Sequence, residues 1–389
     1  MHMRSPRQSL LLIALICVGL IPGQARAQDR QRFLLIDLDL RADTVELAAI
    51  EDGWVECLRS GLIDRRPMHD LLAIMRVDEP DPARFAAGDR LVDLVDGQRW
   101  VGAPASAPLP DHLGWKIDRI GVLAAPVEQI RRARFLPGAK LLKLDEHAAE
   151  DRLLLANGDA LSGLLVSLGE EIVFEVTDSL EPTRLPRRHV ASLALVNPAQ
   201  RPSGMMVWLA DGSVLRVREC RWSPASFQFT TMTDGLKCNV ETEMLRGISF
   251  DSQRLMPLAE LAPEVSRDSP YLRVVEEPHV VDRDRAAGLA DVEMRGPIEA
   301  RYALPPGATR FFTTAVVPRS AAQWADFDLT ILVDDRIVFE SRMDGTGRSR
   351  REIILTLRDA SALTVRLEEG ARGPVQDVLL LQRPMILFD

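Results

Sequence analysis

The stretch "LLLANGDALSGLLVSLGEEIVFEV" occupies residues 153–176. Its apolar residues alternate on both sides of Asn157-Gly158, and again around Gly169-Glu170-Glu171. Period-two alternation belongs to strands with one face in a core. Asn-Gly marks a hairpin because both residues tolerate φ > 0, which a two-residue type I′ turn demands. The stretch predicts strands joined by tight turns.

Near-copies recur along the chain. Residues 34–77 align with 153–196 at a constant offset of 119, without a gap. Leu34 and Leu35 fall on Leu153 and Leu154, Glu51 on Glu170, Glu56 on Glu175, Arg65 on Arg184 and Pro67 on Pro186. The turn itself returns in "LVDGQRWVG" (94–102) and in "LADGSVLRV" (209–217), the latter without the final glycine. Each copy is followed by a closing phrase of spaced apolar residues: "RPMHDLLAIMRV", "APVEQIRRARFL", "LPRRHVASLALV" and "CNVETEMLRGISF". The pattern predicts four divergent β-units, at about 32–78, 90–136, 151–197 and 204–251, each a small bent sheet or barrel of four or five strands. A unit of about 45 residues buries too little surface to stand alone, so the units should stack or share a core. Two stretches break the pattern. "DEPDPARFAAGDR" (78–90) reads as a polar connector, and "KLDEHAAEDR" (143–152) as a short helix with acidic residues in its first turn.

The ends and the composition bound the class. Arg4 and Arg7, the apolar run 9–21 and Ala25-Arg26-Ala27 together predict a signal peptide cleaved before Gln28. The run is shorter than the ~20 residues that span a bilayer, and no second spanning stretch follows. The expected product is an exported chain, periplasmic or extracellular, with no transmembrane segment. Its length exceeds the ~250–300 residues at which one core stops growing, so two or more domains are expected. The net charge of −9 is spread without a basic block, which speaks against a nucleic-acid partner. Cys57, Cys220 and Cys238 survive export. A disulfide between Cys220 and Cys238 and three buried free thiols both remain open.

Beyond a proline- and charge-rich linker at 252–268, strands return without helix. "IEARYALPPGATRFFTTAVV" (298–317), "DFDLTILVDDRIVFESRM" (326–343), "RREIILTLRDASALTVRLEEG" (350–370) and "VQDVLLLQRPMILF" (375–388) predict a β-sandwich or jelly roll over 269–389. The order of these segments resembles the NPCBM family, a carbohydrate-binding module found with some glycoside hydrolases. The resemblance rests on "DLTILVDDRIVFES", on "LTVRL" at 363–367, and on Asp377 leading through "VLLLQRPMIL" to the end. It covers about a quarter of the chain, and it implies a galactose-binding-like jelly roll that holds a glycan. The family often has a Trp shortly after the final Asp, where this chain has Leu380-Leu381. Trp324, in "AAQWADFD", is then the candidate stacking platform, with Arg372 and Asp377 as candidate partners for sugar hydroxyls.

Catalytic and metal motifs are missing. The histidines are scattered without ligand spacing, and no nucleophile elbow, phosphate loop or dinucleotide fingerprint occurs. No cofactor is expected, though "DGTG" (344–347) could hold a structural calcium through carboxylate and carbonyl oxygens. Two functions compete. One is a non-enzymatic carbohydrate-binding, adhesion or assembly protein with a glycan or a cell-envelope protein as partner. The alternative is a glycoside hydrolase, or its accessory subunit, with two carboxylates in the repeat region.

Overall fold

A computed structural model of the chain describes residues 31–389, apart from 60, 79–89, 108, 110, 143–147, 178, 180, 267–275, 282–285, 374 and 389. The expected signal peptide, almost all of the 78–90 connector and the first half of the expected helix lie outside the described residues. Asp151 and Arg152, at the end of that helix reading, instead open a strand, Asp151–Leu155. Among the described residues every helical turn is a three-residue 3-10 turn, and no helix is long and apolar enough to cross a membrane. The protein is all-β, built from antiparallel sheets.

The first small barrel runs Arg32–Asp37, Ala42–Glu51, Trp54–Arg59 and Leu62–Pro67, then a 3-10 turn at Met68–Asp70, then the closing strand Leu71–Arg76. The first four strands pair each with the next, and the closing strand returns to the first with Leu35 opposite Ile74. The same order recurs over 91–134, 151–194 and 205–249. Sequence sets each step. Pro67, Pro126 and Pro186 end the fourth strand because proline offers the ladder no N–H, and a 3-10 turn follows each.

The Asn-Gly and Asp-Gly hairpins differ from the two-residue turn expected of them. Only Gly97, Gly158 and Gly212 take φ > 0, at 85°, 95° and 89°. Leu155 donates to the Asp159 carbonyl while Gly158 donates to that of Leu155, and the other two loops repeat these bonds. These are three-residue loops, a type I turn followed by a left-handed glycine. The preceding Asn or Asp uses its side chain instead, accepting from the N–H two residues on: Asn157 from Asp159, Asp211 from Ser213, Asp96 from Gln98.

The barrels join through their closing strands. Ile74 lies opposite Ile248, and Ala133 opposite Leu193. All four residues occupy the same position, the sixth after the start of the preceding 3-10 turn. First and fourth barrels thus pair as two copies of one surface, and so do second and third. This pairing caps edges that would otherwise template aggregation. It also explains why "LLAIM" and "VASLA" do not alternate: with a barrel on each side, all five residues of each run are buried. Side chains of all four barrels contribute to one apolar cluster that includes Phe33, Trp100, Trp115, Phe174 and Phe227.

The C-terminal part is a two-sheet sandwich. One sheet orders His279–Val281, Asp291–Arg295, Val378–Phe388, Ala308–Val316 and Arg350–Thr356. The other orders Pro263–Ser266, Ile298–Ala303, Ala362–Glu369, Asp326–Val333 and Arg336–Asp344. Tyr302, Phe311, Phe327 and Ile331 lie in the core between them. Residues 252–268 are more than a linker: Leu255–Pro257 pairs with the last strand and Pro263–Ser266 with Ile298–Ala303. A third cluster seals the sandwich to the first barrel, with Ile36, Leu40 and Leu72 against Phe312, Met385 and Leu387.

All three described cysteines are buried free thiols. Cys220 and Cys238 both lie opposite Phe229, one on each side. They are therefore two strands apart, about 10 Å, beyond the roughly 4.4–6.8 Å between Cα atoms that a disulfide spans. The bridge considered from sequence does not form. Burial pushes the thiols up to about 11 for Cys57, about 12 for Cys220 and about 11 for Cys238. Folded protein spanning 28–389 is expected to resist Ellman's reagent at pH 8 and to release three equivalents in guanidinium. One fast equivalent in the folded state would contradict this burial.

Candidate functional site

Four connections gather at one end of the sandwich: 296–297, 317–325, 345–349 and 370–377. Trp324, Arg372 and Asp377 all belong to this end, so the fold brings the three sequence candidates into one loop cluster.

The Trp324 loop is built from small residues. Ala321 donates to the Pro318 carbonyl, and Trp324 and Ala325 both donate to that of Ala321. Ala321 and Ala325, four apart, are buried and pin the turn to the core, whereas Gln323 and Trp324 face outward. Trp324 is 49% exposed, which is unusual for the largest apolar side chain and leaves much of its surface open to a ligand. Gly345 braces the turn from behind, because a Cβ there would overlap the Ala322 carbonyl oxygen. Arg372 is exposed, and its Nη1 donates to the Gln323 carbonyl at 3.4 Å, tying the 370–377 loop to the Trp324 turn. Val375, half exposed on the same loop, adds a second apolar tip.

Asp377 is placed differently. It is 2% exposed and lies beneath the loops. Its Oδ1 accepts from the Asp326 N–H at 3.2 Å, its carbonyl accepts from the Gly296 N–H at 2.7 Å, and its Oδ2 has no partner. Burial, reinforced by the charges of Asp326 and Glu369, pushes its carboxyl up to about 6 against the opposing pull of the Asp326 N–H and Arg342. Asp377 joins two loops at their base, while Trp324 and Arg372 meet solvent.

Sequence reading missed the ionic brace beside it. Arg342 donates through Nε to Asp326 Oδ1 at 2.9 Å and through Nη1 to Asp328 Oδ2 at 3.2 Å. The signal was available, since Asp328 and Arg342 lie directly opposite across the 326–344 hairpin, where unlike charges attract. The "DGTG" loop has the polarity opposite to a calcium site. Asp344 Oδ1 accepts from the N–H groups of Thr346, Gly347 and Arg348 and from the Thr346 hydroxyl, which holds its carboxyl well below the usual range. Among the described residues no three His, Cys, Asp or Glu side chains converge as metal ligands.

No family profile and no curated protein matches the chain. Among solved structures it is similar to a CBM51 carbohydrate-binding module from Clostridium perfringens, solved in complex with methyl-galactose. That likeness has 15% identity and a TM-score of 0.28, and covers 34% of this chain and 99% of that one. The tandem CBM51 modules of a family 98 glycoside hydrolase from Streptococcus pneumoniae are similar at 11% identity and a TM-score of 0.26, over 92% of this chain and 88% of that one. A CBM51 module and its neighbouring domains from a second C. perfringens protein, solved with GlcNAc, are similar at 13% identity and a TM-score of 0.28, over 47% and 43%. At such TM-scores the likeness assigns no residue of this chain a role.

Proposed function

We propose that this is an exported, non-enzymatic carbohydrate-binding protein, whose C-terminal sandwich is a module of the NPCBM type and whose four small barrels act as a rigid spacer or docking platform. The observation that carries the reading is Trp324, half exposed on a turn that Ala321 and Ala325 anchor and that Arg372 flanks. An indole face fits the C–H surface of a pyranose ring, and a guanidinium fork fits its hydroxyls. Asp377 and the Arg342 brace hold the loops that present these two groups.

The test is a glycan array read with protein spanning 28–389, followed by titration of the best ligand. Trimming to 269–389 is unsuitable, because it removes Leu255–Pro257 and Pro263–Ser266 from the two sheets. Trp324→Ala is expected to weaken binding at least tenfold, about 1.4 kcal/mol, and Trp324→Phe to weaken it less. A silent array with folded protein would exclude the reading, as would equal affinity for wild type and Trp324→Ala.

A further inference from the structure

A recess lies far along the chain from Trp324, where the second barrel, the fourth barrel and the sandwich meet. Its volume is about 300 Å³, and its walls carry four arginines, Arg99, Arg131, Arg132 and Arg201, against two carboxylates, Asp93 and Glu260. Asp93 is shared: its Oδ1 accepts from Arg99 Nε at 2.7 Å and its Oδ2 from Arg132 Nε at 2.5 Å. One carboxylate therefore serves two guanidinium groups. Arg201 is stacked with its guanidinium carbon 3.4 Å from the centre of the Phe388 ring, which fixes a cation at the rim. Arg131 is exposed, and while its carbonyl accepts from the Leu195 N–H, its guanidinium pairs with no side chain or backbone group among the described residues. Positive charge is in excess by two.

The recess also holds an unsatisfied polar atom. Ser249 is 1% exposed, lines the recess, and its hydroxyl makes no hydrogen bond. Leaving such a group unpaired is unfavourable, and a bound hydroxyl or carboxylate oxygen would satisfy it. Trp208, partly exposed, supplies an aromatic wall. The volume sits at the lower end of the range of about 300–1,000 Å³ for small-molecule sites. Surplus forked donors select a carboxylate, while an orphan hydroxyl and an indole suit a polyhydroxylated ring.

From this combination we infer that the inter-domain recess is a second binding site, selective for a small carboxylate-bearing sugar. Its recognition chemistry differs from that of the loop end, and it draws on residues from the second barrel (Arg99, Arg131, Arg132), the fourth barrel (Trp208, Ser249) and the segments that follow each array of strands (Arg201, Glu260).

Protein spanning 28–389 should be titrated calorimetrically at low salt with galacturonate and glucuronate, with galactose and glucose as neutral counterparts and acetate as a carboxylate lacking the ring. The uronates are expected to bind at least tenfold more tightly than either control, and to weaken as salt is raised. Arg131→Gln, an exposed change that leaves the fold intact, and Ser249→Ala are each expected to weaken uronate binding at least fivefold. Equal binding of neutral and acidic sugars would overturn the proposal. So would undiminished binding in Arg131→Gln, or no uronate binding by folded protein. Acid binding that disappears in Trp324→Ala would place the acid at the loop end and would likewise overturn it.

Discussion

Gly163→Val is expected to destabilise the chain by about 3 kcal/mol or more, seen as a lower urea midpoint and a lower soluble yield. Gly163 is the corner of the third barrel, the one residue of its strand that pairs both with Asp151 on the first strand and with Val176 on the third. The third strand crosses so closely that a Cβ on Gly163 would overlap the Glu175 carbonyl oxygen and stand 3.0 Å from the Val176 Cα. Both obstacles are backbone, so no rotamer change relieves them. Gly102 meets the same obstacle in the second barrel, against the Lys116 carbonyl. In the first and fourth barrels the corner residues are Glu46 and Val217, each with a Cβ the crossing accommodates, and a bulge starting within two residues of the corner bends the strand in the first, third and fourth barrels alike. Glu46→Val should therefore shift the midpoint far less than Gly163→Val. Equal midpoints for wild type and Gly163→Val would refute the corner argument.

That contrast shows how much of the fold the sequence displayed. The glycine ending "LVDGQRWVG" and "LANGDALSG" but missing from "LADGSVLRV" was visible as a difference between copies. Its cause was not, because the colliding carbonyl comes from a strand more than ten residues away. The constant offset of 119 was legible for a subtler reason. The first hairpin is two residues longer in the first barrel than in the third (Arg32 to Glu46 against Asp151 to Gly163), and the next two connections are each one residue shorter. The changes cancel, so the alignment needs no gap even though the corners fall at different places in it. Period-two alternation exposed strands with one buried face, and it faded in the closing strands, which are buried on both. At the loop end, exposure of Trp324 and Arg372 could be read from their loop context. The inward turn of Asp377 depends on Asp326 and Gly296, which the chain brings to it only on folding.

The inward turn of Asp377 has a measurable consequence. Its carboxyl titrates near 6 in the folded protein and near 3.9 in the unfolded chain. Between those values the folded state holds a proton that the unfolded state has lost, so wild-type stability should fall as pH rises from about 4 to about 6 and then level off. Above pH 6 the folded protein carries a buried carboxylate whose Oδ2 has no hydrogen-bond partner, and the lost stability is on the order of 2–3 kcal/mol. Asp377→Asn keeps an oxygen to accept the Asp326 N–H and cannot ionise. Its stability relative to wild type should accordingly improve by about 2–3 kcal/mol between pH 4 and pH 7.5, whatever constant offset the new amide introduces. Urea unfolding of both proteins at the two pH values measures the difference directly. Parallel pH profiles would mean that Asp377 reaches water in the folded state, and the loops above it would then lack the buried anchor on which the orientation of Trp324 depends.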